Sequence, residues 1–101
     1  MIPLQTLSDA HFESLLNEPF LTLNGPSENY ELRLIEIIPF GLQSSNPEMR
    51  RGFSTIWRGP FQPPLQQGMW RLHNEALGYL DIFLVSIGPD QEGLCYEAIF
   101  N

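Results

Sequence analysis

The sequence predicts an all-β protein, a small antiparallel barrel or sandwich of five to six strands in a meander, with one short N-terminal helix. Three observations carry this. Short runs of β-branched and aromatic residues recur along the chain, bounded by clusters of Gly, Pro, Asn and Asp. Only one stretch has the spacing of an amphipathic helix. No alternation of strand and helix of the βαβ kind is present.

The helix comes first. Thr6 or Ser8 can accept from the free N–H groups of a first turn, and Asp9 and Glu13 suit its positive end. Phe12, Leu15 and Leu16 share one face. Pro19 stops the helix, because the residue before a proline avoids the α region. Two turns are marginal alone in water, so this helix should lie against the sheet or close one end of a barrel.

Residues 20–23 form a short strand, stopped by Asn24-Gly25-Pro26-Ser27. Residues 30–38 form a long one. Tyr30, Leu32, Leu34 and Ile38 face one way, with Glu36 among them. Glu31 and Arg33 face the other way until Ile35 and Ile37 take over that face. The second half of the strand is therefore expected to be covered on both sides. Loop 40–52 is a place where a binding function would sit. Strand 53–58 sets Phe53, Thr55 and Trp57 against Ser54, Ile56 and Arg58. Pro60, Pro63 and Pro64 cannot continue a central strand, so 59–68 is an extended connection across one end.

Strand 69–73 and the turn at 74–78 lead into strand 79–87. Leu80, Ile82 and Leu84 lie on one face. Tyr79, Phe83, Val85 and Ile87 lie on the other, with Asp81 among them. Apolar residues on both faces imply cover on both sides. Residues 88–93 form a turn from Pro, Asp and Gly, and strand 94–100 returns.

The chain has 101 residues, which points to a single domain over 1–101. Its core should bury about 60% or more of the unfolded surface. The single cysteine, Cys95, excludes an internal disulfide. No apolar run is long enough for a membrane span. Residues 1–12 lack the features of a signal peptide, so a cytoplasmic location is expected. Twelve acids face five bases, a net charge of −7. All five bases are arginines: Arg33, Arg50, Arg51, Arg58 and Arg71. This balance argues against nucleic acid and anionic membranes as partners.

The chemistry-bearing residues are sparse. His11, His73 and Cys95 show no zinc-ligand spacing, and His73 with Glu75 supplies two ligands at most. His73, Asp81 and either Ser54 or Ser86 offer a hydrolytic trio, without a nucleophile elbow. Cys95 reads as a small buried hydrophobe. The glycines are turn residues and form no phosphate cradle. No catalytic residue, cofactor or metal is expected.

One cluster remains: Trp57, Arg58, Phe61, Met69, Trp70 and Arg71. Tryptophan and arginine are enriched where interfaces concentrate energy, so Trp57, Arg58, Phe61, Trp70 and Arg71 are the candidate protein-binding surface. The plainer reading puts the tryptophans in the core and the arginines outside. Pairing through a sheet edge is a second route to a partner.

Several segments also carry a resemblance. They are the helix Phe12 to Leu16, Phe53 to Gly59-Pro60, Leu65-Gln66-Gln67-Gly68-Met69-Trp70-Arg71-Leu72-His73, Leu77-Gly78, Ile82-Phe83-Leu84-Val85-Ser86-Ile87-Gly88 and Tyr96-Glu97-Ala98-Ile99-Phe100-Asn101. Together they resemble a family of small bacterial all-β domains of unknown function, DUF6916. Ser86 departs from the family pattern, which has proline there, and this bears on a local bend. The family has no assigned activity, so the resemblance supplies no catalytic residue. It implies a structural, chaperone or assembly role, with a link to phage-tail-like particles.

The reading is a non-enzymatic interaction or assembly module whose partner is another protein or a second copy. The alternative is a small-molecule or carbohydrate binder using the tryptophans. A small hydrolase ranks third.

Overall fold

A computed structural model describes residues 8–40 and 52–100. The chain opens with α1 (Asp9–Glu13), capped by Ser8. The Ser8 backbone N–H donates to His11 Nδ1 at 3.0 Å, so an imidazole does the work a Glu or Gln does in a capping box. Thr6, the other expected cap, lies outside the described residues. The helix is shorter than its apolar spacing suggests. Residues 14–17 form a turn, and Asn17 takes a left-handed conformation (φ 67°). Phe12 and Leu15 are buried, whereas Leu16 is turned out to solvent.

Six strands follow: β1 (Pro19–Thr22), β2 (Glu31–Pro39), β3 (Phe53–Gly59), β4 (Gly68–Asn74), β5 (Gly78–Pro89) and β6 (Leu94–Phe100). They close into an antiparallel barrel in the order β1-β2-β3-β6-β5-β4, with β4 pairing back to β1. The fold is thus a small all-β barrel with one short helix. The meander holds within β1-β2-β3 and within β4-β5-β6. It breaks between them, because the proline-rich connection carries the chain across one end of the barrel to the far side. Tyr30 OH donates to Pro63 O at 2.6 Å, and Leu65 N donates to Tyr96 OH at 2.9 Å, which hold that crossing down. Leu65 is buried in the core. Phe12 closes the opposite end. Its ring meets Phe53, Trp57 and Phe100 at centroid distances of 5.8, 6.4 and 5.3 Å.

The interior is built on Trp57. Phe20 meets it edge-on at 4.8 Å, and its indole N–H donates to Thr55 Oγ1 at 2.8 Å. The Thr55 hydroxyl in turn donates to Ala98 O, so both buried polar groups are satisfied.

Two strands differ from the sequence expectation. In β2 the register shifts between Leu34 and Glu36. A bulge inserts one residue and reverses which positions face inward. Leu32 and Leu34 point inward before it. After it, Ile37 packs against the core and Ile38 is exposed, the reverse of simple alternation. In β5, Leu80, Ile82 and Leu84 are buried as expected, but Tyr79, Phe83, Val85 and Ile87 are exposed. Apolar content on the second face did not bring cover. Among the described residues no helix is long and apolar enough to cross a membrane.

Candidate interaction surface

The barrel order decides which side chains share a surface. β3 and β4 are three steps apart in either direction round the ring, so they lie on opposite sides. Arg58 on β3 and Arg71 on β4 therefore do not belong to one patch. Trp57 is fully buried at 0% exposure, so it offers no contact surface. Trp70 lies opposite Ile82, half-buried against the core, and its indole N–H donates to Gln66 O at 2.9 Å. Phe61 is exposed on the crossing connection. The five residues Trp57, Arg58, Phe61, Trp70 and Arg71 are thus not brought together. Nor do the two tryptophans form a platform for a sugar ring.

Both arginines are tied to acids. Arg58 pairs with Asp90 and also reaches Glu92 at 2.9 Å. The Asp90 carboxylate accepts from Glu92 N and Gly93 N at 2.8 and 3.0 Å, which shapes the β5–β6 turn. The Arg58 guanidinium, then these backbone donors, hold the Asp90 carboxyl well below the usual range. Cys95 lies opposite Arg58 and is buried, and burial pushes its thiol pKa up. Arg71 pairs with Asp81 across β4 and β5, Nε to Oδ1 at 2.8 Å and Nη2 to Oδ2 at 3.0 Å. Arg71 lowers the pKa of Asp81.

His73 and Asp81 share the β4–β5 wall, but neither serine joins them: Ser54 is on β3, across the barrel from β4, and Ser86 lies five residues along β5 from Asp81, opposite Tyr96. Asp81 is held by Arg71, and the His73 ring lies beside Tyr79 at 4.8 Å. Ser54 donates to Glu97 on the far wall. Among the described residues no group of three or more His, Cys, Asp and Glu is placed to hold a metal ion. His73 and Glu75 instead line an open groove of about 740 Å³, together with Glu18, Glu31, Asn29 and Asn74. Loop 40–52, the expected binding loop, falls outside the described residues except at its ends. There Phe40 N donates to Gly52 O at 2.8 Å.

What the fold does bring together is apolar. Met69 on β4 sits opposite Phe83 on β5, and they are 57% and 48% exposed. Val85 on β5 sits opposite Glu97 on β6, and Ile99, two residues on, is 56% exposed. Ile87 extends the row at the β5 bulge, which falls between Ser86 and Gly88. Ser86 is therefore the residue just before an irregularity in the strand. The sequence signal for this patch was present in the second apolar face of β5, but it read as evidence of cover.

Fold and surface together define a small closed β barrel with a packed interior and an apolar outer wall. The chain belongs to the family described as Domain of unknown function (DUF6916), whose model matches residues 7–100. No curated protein and no solved structure matches the chain.

Proposed function

We propose that this protein is a non-enzymatic interaction or assembly module acting in the cytoplasm, and that it binds through the outer wall of β4, β5 and β6. The exposed row of Met69, Phe83, Val85, Ile87 and Ile99 carries the reading. Contiguous apolar surface of this kind marks contact sites, whereas single exposed apolar residues do not. The barrel interior supports it from the other side, because it is filled by side chains and leaves the outside as the place to bind. An accessory role in a phage-tail-like assembly is one setting for such a module.

The test is co-purification with the wild type and with the Phe83→Ser/Ile99→Ser double variant, followed by reconstitution from purified components. A partner that binds the wild type and not the folded variant supports the reading. A partner indifferent to the variant moves the surface elsewhere. The groove beside His73 favours a second reading, a small polar ligand. A His73→Ala variant that loses binding of a small molecule, with the outer wall intact, would establish that reading instead.

A further inference from the structure

We infer that the outer wall of β4–β6 docks an amphipathic helix of another protein, with apolar residues on one face and lysine or arginine flanking them. This rests on the interaction reading above and gives its partner a chemistry.

The dimensions fit one helix. Strands lie about 4.8 Å apart, so the row from Met69 through Phe83 to Ile99 is about 10 Å wide, close to the diameter of a helix with its side chains. Alternation keeps Phe83, Val85 and the opposed Met69 on the same outward face.

Charge selects the partner. The ionisable groups around the row are mostly acidic. Glu97 stands opposite Val85, within the wall itself. Towards the other end of β4 the wall passes the Arg71–Asp81 pair and the His73–Tyr79 ring pair. It then reaches the groove edged by Glu18, Glu31 and Glu75. The positive charges of Arg58 and Arg71 are already matched by acids. A second copy would bring −7 against −7 and set acid rim against acid rim. Like-charge juxtaposition of this kind selects against a partner, and a cationic rim is favoured in both rate and register. The apolar row supplies the contact and the acids choose what reaches it.

The test titrates the full chain with a helical Leu/Lys peptide of about 18 residues, five turns with leucines on one face. Two control peptides keep the length, one with serine for leucine and one with glutamate for lysine. Amide shifts in NMR locate the contact, and light scattering gives the mass of the free protein. The expected result is saturable shifts confined to 69–71, 83–87 and 97–99. Affinity should fall about tenfold or more, ~1.4 kcal/mol, for either control peptide. It should fall likewise for Phe83→Ser/Ile99→Ser and, independently, for Val85→Ser. Equal binding of the serine peptide, or shifts centred on the groove, would overturn the proposal. A wild-type dimer dissolved by the double variant would also overturn it, yet keep the interaction reading with a second copy as partner. A monomer that binds no peptide, and whose wall variants change no association, would overturn both.

Discussion

On β3 the outward positions Ser54 and Ile56 are buried, whereas on β5, with β6 between, the outward Tyr79, Phe83, Val85 and Ile87 lie at the surface. The strand with serine and arginine on its outer face is the covered one, and the strand with four large apolar residues there is open. Their inward faces are alike, both filling the same core. The difference shows that two separate requirements act on each strand. The inward set is fixed by closure of the barrel, because its side chains must fill a shared interior. The outward set answers to whatever lies outside. On β5 its apolar area is available at roughly 25 cal/mol per Å² to anything that covers it.

The largest test of that contrast is on the inside. Trp57→Ala should cost ~3–5 kcal/mol, the range for a large aromatic removed from a packed core. It also removes the donor to Thr55 Oγ1. Urea denaturation followed by far-ultraviolet circular dichroism measures it. A loss below about 1 kcal/mol would mean that the interior is not the tightly packed layer that the ring contacts describe.

Next comes the β5–β6 turn, where space and not side-chain area is limiting. A Cβ on Gly93 would lie 2.1 Å from Gly59 O, against backbone that cannot rotate away. Gly93→Ala should therefore cost at least ~1–3 kcal/mol, as overpacking does, in the same denaturation experiment. A neutral result would place the β3–β6 seam further apart than it is here.

Asp90, in the same turn, gives a smaller effect with a sign. Its carboxyl titrates below the ordinary range in the folded chain, because Arg58 and the N–H groups of Glu92 and Gly93 favour the charged form. A group whose folded pKa is depressed adds stability above its unfolded pKa, about 3.9, and loses it as pH falls through the folded value. Wild-type stability should thus decline below about pH 4. Asp90→Asn should be less stable at neutral pH and should show a shallower acid decline. Urea midpoints at neutral pH and at two points below pH 4 measure both. Equal acid slopes would assign the decline to other carboxylates.

These experiments also divide what the sequence shows from what it does not. The boundaries of β6, the turn chemistry at Asp90 and the end-crossing prolines were legible, because each depends on local rules of backbone conformation. The β2 bulge was half-legible. Leu32, Leu34, Ile35 and Ile37 change the parity of the apolar positions in mid-strand, and one inserted residue is the simplest cause. The barrel order was not legible. Strands adjacent in sequence usually pair, yet β3 and β4 end on opposite walls. That one non-local step disperses Arg58, Phe61, Trp70 and Arg71. The row of Met69, Phe83 and Ile99 was hidden for the related reason that a strand's composition does not state what lies outside it.

The smallest effect sharpens the contrast most. Phe83→Ser and Ile99→Ser remove large apolar side chains from positions about half exposed, so each should change stability by no more than about 0.5 kcal/mol, as surface substitutions away from special features do. The two residues are close on one wall, so the double variant is measured as well as each single. Near-zero values would show that these side chains contribute little to the isolated barrel, and that a reason for them has to be sought in contact with something else. A loss of ~2 kcal/mol or more would be a core-like penalty. It would mean that the outer wall of β5 is packed as β3 is, and the contrast between the two strands would collapse.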